Sequence, residues 1–254
     1  MDPLQHLTGL VLAGGEGRRL GQEKGLALWQ GRPLALRALE RLRPQVKTIA
    51  LNVNRCFDVY APWGVPLWRD NGIDRPKAQT SQTSQTSQTG QPSQTNQMGL
   101  QEGPLKSASA STLISPSSSP SRSPSPNPLM GPLAGVLAGL LNMQTEWLLT
   151  VPCDAPLFPL DLAEQFCSAL NAPDAPTARA AFACTAPNGK DKHPVMALIH
   201  RDLAPSLVQF LAQGERQVGR WLAQQKALPV VFADPQAFAN VNTPSELEAG
   251  LTPA

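Results

Sequence analysis

Strand-like and helix-like segments alternate along this chain, beginning with Leu7 to Ala13, a short apolar run that ends in glycines. Such a run reads as a buried parallel strand entering a loop. Pro33 suits the first turn of a helix, in which Leu36, Leu39 and Leu42 recur at helical spacing until Pro44 stops it. Thr48 to Asn54 and Val65 to Asp70 read as strands. Gly131 to Met143 reads as a helix, Trp147 to Asp154 as a strand, Leu160 to Leu170 as a helix, and Arg179 to Thr185 and His193 to His200 as two more strands. Helices over about 202–212 and 216–226, a strand Val230 to Ala233 and a helix from about Thr243 complete the series. This alternation predicts an α/β fold, a mostly parallel central sheet covered by helices on both faces.

One stretch breaks the pattern. From about Lys77 to Pro128 the sequence turns into Ser-Gln-Thr triplets (Ser81 to Thr89) and then a Ser/Pro-rich tract. Too few apolar side chains are present to offset chain-ordering entropy, so disorder is expected there. Lengthening a loop tenfold costs only about 2 kcal/mol in closure entropy. A single domain over residues 1–254, interrupted by an insert at about 77–128, is therefore the expected organisation, and the roughly two hundred residues left can bury a core without staples.

Charge excludes some partners. With 21 basic and 19 acidic residues the formal net charge is +2, which gives no electrostatic case for nucleic acid or an anionic membrane. Cys56, Cys153, Cys167 and Cys184 are scattered and form no CxxC pair, so reduced thiols, mostly buried, in a cytoplasmic protein are expected. Met1 to Leu7 lacks the basic-then-apolar pattern of a signal peptide. The apolar run from Gly131 to Met143 is too short to span a bilayer.

Chemistry concentrates in three places. The first is Leu12-Ala13-Gly14-Gly15-Glu16-Gly17-Arg18-Arg19-Leu20-Gly21, followed by Lys24-Gly25. Glycines let the main chain turn sharply and bring N–H groups close to an anion; Arg18, Arg19 and Lys24 add full positive charge. It is neither a P-loop, because Lys24 precedes Gly25 and follows no glycine, nor a dinucleotide fingerprint, because Leu20 stands at the third glycine position. A glycine-rich turn with surface arginines would look similar.

The second place is Pro152-Cys153-Asp154-Ala155-Pro156, which puts a carboxylate at the end of a candidate parallel strand, where open α/β sheets bind ligands. Magnesium takes hard oxygen ligands, commonly one or two carboxylates plus phosphates, so Asp154 suits a metal ligand; an N-cap or turn Asp is the alternative. Asp70 also ends a strand. The third place is a pair of asparagine sets. Asn52 and Asn54 alternate on a strand and face one side, where buried amides demand polar partners. Asn240 and Asn242 repeat the spacing, and Thr243 after them can cap a helix. His193-Pro194 and Gly214 to Val218 are candidates for a second pocket.

Taken in order, these segments resemble the MobA-type molybdenum cofactor guanylyltransferases. The glycine loop and Lys-Gly at Leu12–Lys24, NxNR at Asn52–Arg55, the strand-end Asp70, GPLAG at Gly131–Gly135, PCDxP at Pro152–Pro156, His193-Pro194, and NVNTPxEL from Asn240 to Leu247 all match. The resemblance covers essentially everything outside the insert, although the glycine loop alone is shared with many sugar-nucleotide pyrophosphorylases. It implies a Rossmann-like, GT-A-type three-layer sandwich that uses GTP, Mg2+ and molybdenum-molybdopterin and acts as a cytoplasmic monomer, with transient contact to molybdoenzyme maturation proteins. By the same resemblance Leu12, Ala13, Gly14 and Gly15 bind the nucleotide, Lys24 and Arg19 act at its phosphates, Asn52 and Asp70 contact the guanosine portion, and Asp154 and Asn242 hold the metal. The insert stands where the family has a short loop after Asp70. A pterin cytidylyltransferase, a sugar-phosphate nucleotidyltransferase and a non-catalytic nucleotide-binding adaptor are the competing functions.

Overall fold

Leu7, Val11 and Leu10 divide between two cores, as alternation along a strand buried on both faces requires. They lie on β1 (Leu7–Leu12), an interior strand of the sheet. The computed structural model describes residues 6–15, 23–70, 131–172, 177–185 and 191–249, all within the unit formed by Met1–Asp74 and Pro128–Ala254. The expected insert, Arg18 and Arg19 lie outside the described residues.

After β1 the chain forms a small antiparallel hairpin, β2 (Leu28–Trp29) and β3 (Arg32–Pro33). Helix α1 (Leu34–Leu42) follows, then β4 (Thr48–Asn52), a short α2 (Phe57–Tyr60), β5 (Leu67–Trp68), α3 (Pro132–Asn142), β6 (Trp147–Pro152) and α4 (Leu162–Leu170). The remainder is β7 (Ala180–Cys184), β8 (Lys192–His200), α5 (Ala204–Ala212), α6 (Val218–Gln224), β9 (Leu228–Val231) and α7 (Pro244–Ala249). The sheet order is β5-β4-β1-β6-β8-β7-β9. Neighbours β5, β4, β1 and β6 are parallel, as are β7 and β9, while β8 runs antiparallel to both β6 and β7.

Helices α1 and α4 pack on one face of the sheet and α3, α5 and α6 on the other, giving the expected three layers. The sequence pattern located nearly every element and misplaced two details. Pro33 does not open α1; it closes the hairpin in extended backbone (φ −57°, ψ 135°) immediately before the helix. The buried face of α1 is Leu34, Ala35, Ala38, Leu39 and Leu42, with Leu36 outside it, because Ala35, Ala38, Leu39 and Leu42 form one helical stripe and Leu36 is turned about 100° from it. Cys153, Cys167 and Cys184 are buried and Cys56 is exposed. No described helix is long and apolar enough to cross a membrane.

The topology reverses at β1. Its chain leaves toward β4 on one side and returns to β6 on the other. Open parallel sheets bind ligands at such a switch point, outside the carboxyl ends of the strands. Here those ends carry Leu12 to Gly14, Asn52 and Pro152 to Asp154.

Candidate active site

A cleft of about 1100 Å³ opens over this switch point, and Gly14, Gly15, Lys24, Asn52, Asp70 and Asp154 all line it. The glycine turn and the mid-chain carboxylate thus share one cavity. Ala13 seats the turn from beneath: it is fully buried, and its N–H donates to the Asn52 carbonyl (2.9 Å), while Cys153 N–H donates to the Leu12 carbonyl (3.1 Å).

Lys24 is the centre of the first cluster. Its Nζ lies 2.5 Å from Asp154 Oδ2 and 2.8 Å from Asn242 Oδ1, and both Lys24 and Asp154 are mostly shielded from solvent. Gly25 makes the approach possible. A Cβ there would stand 2.5 Å from the Tyr60 hydroxyl and 3.1 Å from Ala13 and Ala35. The hairpin that follows anchors the turn, because Ala27, Trp29 and Leu34 pack on Val241 in a small satellite core with Leu247 against it.

Asn242 is held from behind. Glu246 Oε2 accepts hydrogen bonds from the N–H groups of Asn242 (2.6 Å) and Thr243 (3.0 Å), and Thr243 Oγ1 accepts from Glu246 N–H (3.3 Å). This reciprocal pairing is a capping box for α7, and the main-chain bonds hold the Glu246 carboxyl below its ordinary range. Val241 N–H donates to the Asp154 carbonyl at 2.7 Å, fastening the two segments together. Asn242 itself meets Lys24, while Asn240, its partner in the motif, lines the cleft.

The second cluster surrounds Asp70. Asn52 Nδ2 donates to Asp70 Oδ1 (2.8 Å) and to the Trp68 carbonyl (3.0 Å); Asn54 Nδ2 donates to Asp70 Oδ2 (2.8 Å), and Asp70 N–H returns a bond to Asn54 Oδ1 (3.0 Å). Burial raises the Asp70 carboxyl above its ordinary value, and the two amide donors pull it back down. Asn52 is itself slotted between glycines. A Cβ on Gly135 would stand 2.4 Å from its Oδ1, and one on Gly14 3.3 Å from the same atom. The two asparagines therefore satisfy each other through Asp70, and their side chains fix its carboxylate.

Glu23 escaped the sequence reading, and Arg55 entered it only as the last residue of the NxNR motif, with no role of its own. Glu23, its side chain only 7% exposed, lies 3.4 Å from Arg55 Nε and ties the chain ahead of Lys24 to the loop after β4. Burial raises the Glu23 carboxyl, with Arg55 opposing. The charge pattern at Asn54-Arg55 was a usable signal for Arg55; the burial of Glu23 was not legible. Of the two second-pocket candidates, His193 and Pro194 line the cleft. The segment from Gly214 to Val218 is not among the described residues that do, and Arg216 instead caps the end of α5 through the carbonyl of Leu211 (2.8 Å).

The sequence profile of the MobA-like NTP transferase domain matches residues 9–81 and 119–228. A molybdenum cofactor guanylyltransferase of Bordetella petrii is 36% identical over 244 residues, covering 95% of each chain. Another, from Methylibium petroleiphilum, is 36% identical over 246 residues, covering 96% of this chain and 94% of its own. The chain belongs to the molybdenum cofactor guanylyltransferase family. Among solved structures, molybdopterin-guanine dinucleotide biosynthesis protein A from Archaeoglobus fulgidus shares the fold at a TM-score of 0.59 and 16% identity, with 95% of each chain covered. The family profile leaves residues 82–118 unmatched, within the stretch whose composition departs from the rest. The guanylyltransferase motifs quoted above fall at the strand ends around the cleft or on the elements that hold them.

Proposed function

We propose that this chain transfers GMP from GTP to the terminal phosphate of molybdenum-molybdopterin, releasing pyrophosphate and forming the guanine dinucleotide cofactor. The observation that carries the reading is that Lys24 and Asp154, paired with each other and backed by Asn242, line the same cleft that Gly14 and Gly15 enter. An amide-rich turn and a lysine face anionic oxygens, and a carboxylate faces cations.

The donor set fits magnesium. Asp154 Oδ2 and Asn242 Oδ1 already converge on one cation, the Lys24 ammonium, and both are hard oxygens of the kind that ion takes beside water and phosphate. When bound there, Mg2+ would neutralise charge on the triphosphate and on the departing pyrophosphate. Lys24, beside those two oxygens, would supply a further positive charge to the phosphates. The attacking phosphate monoester is largely dianionic at neutral pH, so the chain has no need of a strong base. Its residues align the two reactants and offset their charge.

Asp70 supports guanine as the base. A carboxylate held by one donor on each oxygen keeps further lone pairs free, and guanine presents adjacent N1–H and N2–H donors. Cytosine and adenine present a single donor group on that edge. Cys56, Cys153 and Cys184 are thiols outside any disulfide, which supports a reducing, cytoplasmic setting.

Pyrophosphate release with GTP, CTP and ATP, each offered molybdopterin or a sugar phosphate, tests the proposal. GTP with molybdopterin should exceed every other pair by roughly a hundredfold in kcat/KM, since a site built to satisfy a donor pair rejects a base that lacks it. Equal or better turnover with CTP would overturn the guanine assignment, and turnover with a sugar phosphate would overturn the acceptor.

A further inference from the structure

A line of aromatic rings runs through the core to the cleft. Phe166 and Phe232 meet edge to face with centroids 5.7 Å apart, Phe232 and Phe238 lie 5.2 Å apart, and Phe238 stacks on His193 at 4.5 Å with 25° between the planes. The three phenylalanines are buried. His193 is only half-buried and, with Phe238, lines the cleft. Its Nε2 lies 3.2 Å from Thr185 Oγ1, which fixes the ring in its plane.

The cleft, about 1100 Å³, is at the upper limit of what one drug-sized ligand fills, and its walls differ in chemistry. The polar wall carries Asn52, Asp70, Lys24 and Asp154. A second part of the lining is the start of β8, where His193, Pro194, Val195 and Met196 are joined by Phe238, with Lys192 exposed. Nothing in the nucleotide account uses this second part. A flat, polarisable surface of that kind takes a planar ring by offset stacking.

We infer that His193 and Phe238 form the acceptor subsite, and that a planar nitrogen heteroaromatic, the pterin of the acceptor, lies on His193 as the next ring of the ladder. The inference rests on the pterin phosphate being the acceptor, as proposed above. Burial pushes the His193 pKa below its ordinary value, which favours the neutral ring near pH 7. Lys192 places positive charge beside an anionic ligand.

The test uses the full chain, with 6-hydroxymethylpterin phosphate as a fluorescent binding probe and, separately, KM for molybdopterin at saturating GTP. Stacking of one ring on an aromatic side chain is lost in His193→Ala and kept in His193→Phe. We expect His193→Ala to weaken the probe and raise the molybdopterin KM by about tenfold or more, with the KM for GTP within about twofold of wild type. His193→Phe, which keeps a ring but no ring nitrogen, should restore most of the affinity. Probe binding unchanged in His193→Ala overturns the inference, as does a parallel rise in the KM for GTP, which would give this wall to the nucleotide. Failure of His193→Phe to restore binding would overturn stacking as the mode of contact. If the wild type binds the pterin probe but passes no GMP to molybdopterin, the proposed reaction falls; if it transfers GMP while all variants bind alike, the subsite alone falls.

Discussion

Lys24 holds two oxygen donors together across 130 and 218 residues of sequence separation, so the charges of the site are partnered before any ligand arrives. Removing Asp154 deletes one cation partner, and removing Lys24 deletes the positive charge that partners it. Loss of a preorganised charge of this kind commonly costs about 3 kcal/mol or more of barrier. Asp154→Ala and Lys24→Ala are therefore expected to fold normally and to lose at least about a hundredfold in kcat, read from initial rates of pyrophosphate release; near-normal turnover by Asp154→Ala would refute its assignment to the metal. A second expectation concerns pH. Burial pushes His193 and His200 below the ordinary value of 6.5. Between the depressed and ordinary values the unfolded chain binds more protons than the folded one, so stability present above that ordinary value is lost as pH falls through the folded values. Thermal unfolding midpoints should decline from about pH 7 toward about pH 5, and the double variant His193→Gln/His200→Gln should flatten that decline. At this scale Lys24 and Asp154 were legible as cleft residues because Lys24 precedes Gly25 after a glycine-rich turn and Asp154 sits between Pro152 and Pro156 at the end of a strand. Asn52 was legible as a polar group needing a partner, though not as the brace of Asp70, because the partner comes from another strand.

The elements explain why such side chains meet. Helix α3 brings Gly135 against β4 so closely that Asn52 fills the space a side chain would take, its Oδ1 2.4 Å from where a Cβ would sit. Gly135→Ala should thus do two things at once. Overpacking costs typically about 1–3 kcal/mol, measurable in denaturant unfolding, and displacement of Asn52 removes a donor from Asp70, which should raise the KM for GTP severalfold more than it lowers kcat. A KM and stability both equal to wild type would remove the slot from the account. The strand and helix order was readable from period alone, since buried parallel strands and amphipathic helices carry distinct repeats. The hairpin β2–β3 was not, because Leu28 to Pro33 is too short to show a period and Pro33 fits a helix start as well as an extended residue. The antiparallel direction of β8 also escaped, as strand direction depends on a connection rather than on the strand's own residues.

For the whole chain, the cleft unites residues from both ends of the sequence around one topological switch, and the family profile skips residues 82–118 while matching on either side. A deletion of those residues should leave kcat/KM for GTP within about twofold, because closure entropy changes slowly with loop length; a loss of activity in a folded deletion variant would assign the segment a part in catalysis. One cleft, by the proposed function, joins GTP to a pterin phosphate. That joining is tested most directly by incubating the protein with GTP, Mg2+ and molybdenum-loaded molybdopterin and identifying the products by mass spectrometry. The expected products are molybdopterin guanine dinucleotide and pyrophosphate in equal amounts. Pyrophosphate with free GMP, GDP with phosphate, or an untouched pterin would contradict the proposed function.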